Sequence, residues 1–190
     1  MKKMVYFHAL DSGKSFRKFR LLKDHLGDRY ELLCIEWNVD TDFRILMFNL
    51  FKRLLKEPEV VLIGDSTGGN FACQIRDILI QNHIKVTLVL LSPLLSIDTR
   101  IATFPLPNVL LESLQNFWRV EDCLSITGIN DAVIDHSRIA YGAGTSRLIV
   151  DDVHQLLHFE RCLRHIDRYI HQHSRLRDER QSYITDRDEK

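Results

Sequence analysis

Ten residues constrain the fold of this chain more than any others: Val60-Val61-Leu62-Ile63-Gly64-Asp65-Ser66-Thr67-Gly68-Gly69. Four consecutive branched apolar side chains read as a strand buried on both faces, and the apolar spacing that resumes from Asn70 reads as a helix. Between them lies G-x-S-x-G. A strand that turns into a helix over so few residues makes a nucleophile elbow, in which a serine sits on a strained backbone and its hydroxyl stands above the sheet edge. Side chains two positions before and after that serine would collide in the turn, which accounts for Gly64 and Gly68. The start of the helix also aims backbone N–H groups and its positive dipole end at any oxyanion formed there. The Thr67 amide is the natural first donor. The bland alternatives are a glycine-rich turn capped by Ser66 or a phosphate-binding loop.

The rest of the chain repeats the alternation. Short apolar runs at Val5–Phe7, Leu32–Ile35, Val60–Ile63, Val86–Leu91, Cys123–Ile126 and Arg147–Val150 predict six strands. Segments with apolar residues three and four apart, Ser15–Leu26, Asp42–Leu55, Gly68–Gln81 and Gln155–His173, predict helices between them. This is the pattern of βαβ units wound on a mostly parallel sheet with helices on both faces. The stretch from Ser92 to Val120 holds Pro93, Pro105 and Pro107 and is too short for a large lid. It predicts a small flap, with the apolar segment Val109–Trp118 as a helix. Residues 1–173 are expected to form one α/β domain, and 174–190 a charged tail, disordered or a helical extension.

Composition removes several function classes. Lysine plus arginine number 26 and aspartate plus glutamate 26, so no net field draws the chain to nucleic acid or anionic lipid. The longest apolar stretch, Val86 to Leu95, is broken by Thr87, Ser92 and Pro93 and is too short to span a bilayer. Met1-Lys2-Lys3 imitates the start of a signal peptide, but the apolar run ends at Asp11 without a small-residue cleavage site, which favours the cytoplasm. Cys34, Cys73, Cys123 and Cys162 lie far apart among apolar neighbours and read as buried thiols.

A serine nucleophile needs a base and an orienting acid, and on such sheets these follow it at later strand ends. After Cys123–Ile126, Gly128-Ile129-Asn130-Asp131 presents Asp131 on a turn; after Arg147–Val150, Asp151-Asp152-Val153-His154 presents His154. Asp135 is the substitute acid, and His136, His158 and His165 are the substitute histidines. Taken alone, Asp131 would be read as a turn or cap residue. His154, His158, Cys162 and His165 also recur at helical spacing, but along about 16 Å of helix they cannot share one ion, so no metal site is expected. The first strand leads into His8-Ala9-Leu10-Asp11-Ser12-Gly13-Lys14-Ser15, which ends like a phosphate-binding P-loop yet has His8 where its first glycine belongs.

Together, Tyr6-Phe7-His8-Ala9-Leu10-Asp11-Ser12, Gly64-Asp65-Ser66-Thr67-Gly68-Gly69, Gly128-Ile129-Asn130-Asp131 and Asp151-Asp152-Val153-His154 resemble the small bacterial YqiA/YcfP-type esterases of the α/β-hydrolase superfamily. The resemblance covers residues 4–170. It implies a compact α/β-hydrolase fold and hydrolysis of a small-molecule carboxylic ester or thioester without a metal or organic cofactor. Ser66 matches the nucleophile, Asp131 the acid and His154 the base. In such hydrolases the loop after the first strand supplies the second oxyanion donor, here the Leu10 amide; the usual glycine after His8 is Ala9 in this chain. Leu94, Leu95, Phe104 and Leu106 are candidate acyl-chain contacts, or simply core. Two rival readings are a non-catalytic binding protein that keeps the fold and a nucleotide-binding protein using Gly13-Lys14-Ser15.

Overall fold

A computed structural model describes residues 1–10, 15–38 and 40–173. The strands are β1 (Lys2–Phe7), β2 (Tyr30–Ile35), β3 (Glu59–Asp65), β4 (Lys85–Leu91), β5 (Arg119–Val120), β6 (Cys123–Asn130), β7 (Ala140–Tyr141) and β8 (Ser146–Val153). The helices are α1 (Ser15–Leu26), α2 (Phe43–Leu54), α3 (Thr67–Gln81), α4 (Asn108–Ser113) and α5 over residues 163–173. Six strands form one parallel sheet in the order β2-β1-β3-β4-β6-β8, and β5 pairs with β7 in a small second ribbon.

Alternation along the central strands divides the core in two. Val5, Phe7, Val60, Leu62, Leu88 and Leu90 face α2 and α3, whereas Met4, Tyr6, Val61, Ile63, Val89 and Leu91 face α1 and α5. On α1 the inward positions are Lys18, Leu22 and Leu26, four residues apart on one stripe. Helix α2 is capped by Asp42, whose side chain accepts from the Arg44 and Ile45 amides.

All six predicted strands are present, and each is longer than expected; β5 and β7 are too short to show an alternation. Two helix expectations need correction. The final helix does not begin at Gln155: β8 runs to Val153, a turn follows, a 3-10 turn covers Phe159–Cys162, and α5 begins only at residue 163. His154 and His158 therefore precede the helix. The helix expected over 109–118 spans only Asn108–Ser113. The tail 174–190 and the Asp11–Lys14 part of the P-loop-like segment lie outside the described residues.

Candidate active site

The serine is positioned by backbone. Ser66 follows β3 directly, with φ 52° and ψ −116°, a left-handed conformation that costs a non-glycine residue energy and that the surrounding hydrogen bonds must enforce. Its amide donates to the Leu91 carbonyl at 2.9 Å, and its carbonyl accepts from the Gly69 and Leu94 amides, each at 2.9 Å. The glycines serve close approach. A Cβ on Gly64 would come within 2.5 Å of the Gly69 Cα, and one on Gly68 would run into the Phe7 and His8 carbonyls at the end of β1. The second collision lies with a neighbouring strand, not within the turn itself.

Asp131 and His154 come from adjacent strand ends. In the β6–β8 register Asn130 pairs with Val153 beyond an irregularity at Gly128, so the next residue on each strand, Asp131 and His154, leave the sheet side by side. His154 Nδ1 lies 2.8 Å from Asp131 Oδ2, and His154 Nε2 lies 2.9 Å from Ser66 Oγ. Asp131 Oδ1 accepts the Val133 and Ile134 amides at 2.9 Å each. A second imidazole, His136, places Nε2 2.9 Å from the same Oδ2. Burial pushes the Asp131 carboxyl upward, but the hydrogen bonds from His136 and His154, the charge of His154 and the Ile134 amide outweigh it and hold the group well below the usual carboxylate range. A hydroxyl bonded to an imidazole whose other nitrogen rests on an ionised carboxylate is the arrangement that turns a weak nucleophile into a usable one.

A cavity of about 790 Å³ opens over this chain of contacts, lined by Ser66, Thr67 and His154 together with Leu94, Phe104 and Leu106. The segment after β4 is fastened across it by Asn70. This wholly buried side chain donates to the Leu94 and Leu95 carbonyls at 3.2 Å and to the Gln115 carbonyl at 2.7 Å, and it accepts from the Gln115 amide at 3.0 Å.

Among solved structures, a protein from Agrobacterium vitis S4 described as a hydrolase superposes with TM-score 0.63 at 13% identity, over 89% of this chain and 88% of its own. The RedJ thioesterase of prodiginine biosynthesis in Streptomyces coelicolor gives 0.61 at 12%, over 88% and 85%. A chain from the work on the metagenome-derived lipolytic enzymes LipS and LipT gives 0.55 at 11%, over 90% and 93%. The chain has the α/β-hydrolase fold. No family model and no curated protein matches the sequence.

Within that fold, Ser66, Asp131 and His154 are brought into one hydrogen-bonded line. Thr67 and Leu10 also line the cavity, but the Leu10 amide donates at 3.0 Å to Thr67 Oγ1. Of the four apolar candidates, Leu94, Phe104 and Leu106 line the cavity; Leu95 does not and is instead wholly buried in the core beneath α3. Asp135 caps the short turn at His136 and bonds Ser137. His158 lies beside Asp152, whose carboxylate accepts the Val153, Leu157 and His158 amides and so fixes the turn after β8. Among the described residues no group of three or more metal-ligating side chains comes together. Nor is any helix there long and apolar enough to cross a membrane.

Sequence reasoning missed one group and the placing of another. His136 was visible as a substitute histidine, yet it sits behind Asp131, with a side chain 9% exposed. Under the elbow, Lys18 Nζ lies 2.8 and 2.9 Å from the two Asp65 oxygens, and the Tyr6 hydroxyl donates to Asp65 at 3.0 Å. The charged residue inside the apolar β3 run, and a lysine on the stripe of Leu22 and Leu26, were the available signals. The thiols supply no rival nucleophile: burial pushes Cys73 up to about 12 and Cys34, Cys123 and Cys162 up to about 11.

Proposed function

We propose that the protein is a serine hydrolase that cleaves carboxylic esters or thioesters through an acyl-enzyme on Ser66. The observation that carries this reading is the unbroken contact line from Ser66 Oγ through both ring nitrogens of His154 to Asp131, at 2.9 and 2.8 Å. It is supported by the strained elbow, and by structural neighbours whose names are those of a thioesterase and lipolytic enzymes. In this reading the compact esterases that the sequence resembles are the nearest functional type.

His154 in its neutral form accepts the Ser66 proton as the hydroxyl attacks the carbonyl, and Asp131 fixes the tautomer with the Nδ1 proton facing it. The imidazolium then protonates the leaving alcohol or thiol. Water attacks the acyl-enzyme with His154 again as base. The developing oxyanion is held by the Thr67 amide, which as the first residue of α3 has no helical carbonyl to serve. Leu10 bears on it through Thr67, its amide donating to the Thr67 hydroxyl oxygen beside that donor. Each such donor is worth about 3 kcal/mol of transition-state stabilisation.

Mixing the protein with p-nitrophenyl acetate is expected to release a burst of nitrophenol equal to the protein concentration, followed by slower turnover. Ser66→Ala, folded by circular dichroism, is expected to give neither phase. Equal turnover by that variant would refute the assignment.

A further inference from the structure

The charges lining the cavity over Ser66 do not balance. Lys18 and Asp65 neutralise one another at 2.8 Å, and His154 rests on Asp131, but among the described residues no carboxylate lies within ion-pair distance of Arg100, the remaining charged side chain of the lining. We propose that Arg100 is an anion-binding subsite of this cavity, which takes a carboxylate or phosphate group carried by the ester or thioester substrate. The inference rests on the hydrolase reading above and names the class of substrate that reading left open.

Arg100 is held in place rather than left on a loop tip. Its amide donates to the Ile97 carbonyl at 3.0 Å, and its backbone bridges to Ile134 on the loop that carries Asp131. The neighbouring Ile101 amide bonds the Val133 carbonyl at 2.9 Å, and the Asp135 amide bonds the Thr99 carbonyl at 2.7 Å. The backbone that carries Arg100 is therefore tied to the same loop that carries Asp131. The guanidinium lies over the Phe104 ring, 4.3 Å from the centroid, and one N–H group donates to the Phe104 carbonyl. A guanidinium carries five N–H donors in a rigid fork that matches the paired oxygens of a carboxylate or phosphate. Stacking covers one face and the carbonyl takes one donor, which leaves an edge of the fork for a ligand. The same cavity is lined by the apolar side chains Leu94, Leu106, Val133 and Ile134, so the guanidinium is the charged group left to meet an anion there.

The test compares substrates with the same reacting bond, one member of each pair carrying an anionic group and the other not. For the acyl side the pair is the p-nitrophenyl half-ester of glutarate and its monomethyl counterpart. For the leaving group the pair is butyryl-coenzyme A and the butyryl thioester of N-acetylcysteamine. In at least one pair the anionic member is expected to have kcat/KM tenfold or more above its neutral match; which pair it is tells on which side of the scissile bond the anion lies. Arg100→Gln is expected to bring that ratio close to one, and Arg100→Lys to keep part of it. Independently of turnover, millimolar glutarate or coenzyme A is expected to raise the melting temperature of the wild type and not of Arg100→Gln. Ratios near one in both pairs, or ratios and melting shifts unaltered in Arg100→Gln, would overturn the subsite. Turnover of none of the four substrates, with the Arg100-dependent melting shift intact, would overturn the reading of Ser66 and leave the subsite standing.

Discussion

The elbow and the acid–base rim meet at one contact, His154 Nε2 to Ser66 Oγ, yet they are built in different ways. Around Ser66 the chain is continuous: β3 and α3 join through one residue, Gly64 is demanded by Gly69 and Gly68 by the end of β1, and residues 60–73 are all buried. The rim is assembled from afar. Asp131 and His154 stand together because two edge-side strands share a register, and they are steadied by amides of their own loops and by His136. A turn buried along its whole length tolerates little change within it. A geometry specified by pairing tolerates change in any one support.

The largest expected effect falls where the two regions meet. Ser66→Ala should lower kcat/KM by about four to six orders of magnitude with the fold retained, the scale seen when a serine of a triad is removed; ester turnover against circular dichroism measures both. Next comes the elbow's foundation. Lys18→Met leaves Asp65 buried with its charge unpaired, and such losses cost about 3–5 kcal/mol. Urea denaturation is expected to show a lower midpoint with little change in slope, and a midpoint within error of wild type would show that the pair is dispensable.

Rim supports should yield less. His136→Phe keeps ring volume but removes a donor from Asp131, which should cost about 1.5–3 kcal/mol of stability, the range for a hydrogen bond to a charged group. It should also lower kcat more than it raises KM, and His136→Gln, which restores a donor, should recover part of kcat. An equal loss in both variants would make His136 a packing residue. The smallest effect concerns pH. The Asp131 carboxyl is held below its unfolded value, so its contribution to stability is fully present above the ordinary carboxylate range near pH 4 and is lost as pH falls toward its depressed folded value. Asp131→Asn has no such proton to take up. Its stability deficit relative to wild type should therefore be constant from pH 5 to 7 and shrink below pH 4 in denaturation curves.

The same contrast explains what could be read before any coordinates. Ser66, Gly64 and Gly68 were legible because strand, turn and helix signals lie within ten consecutive residues, and the six strands because each is a short apolar run. Asp131 and His154 were legible only through chain order, which singles out strand ends but not the Asn130–Val153 register that unites them. The onset of α5 was misplaced because apolar spacing continues through Leu156 and Phe159, which are buried from a turn and a 3-10 segment rather than from helix. Leu95 looked like a pocket residue because burial in a core and burial under a ligand have the same apolar signature. The Leu10 amide was aimed at the oxyanion by analogy, and the Thr67 hydroxyl that intercepts it carries no pattern in sequence.

The role of Ser66 is tested most directly by intact-protein mass spectrometry after incubation with a fluorophosphonate. One adduct per chain is expected, mapped by proteolysis to the peptide containing Ser66, absent from Ser66→Ala and slow to form in His154→Ala. A folded wild-type chain that takes up no adduct, or takes it up at another residue, would contradict Ser66 as the nucleophile.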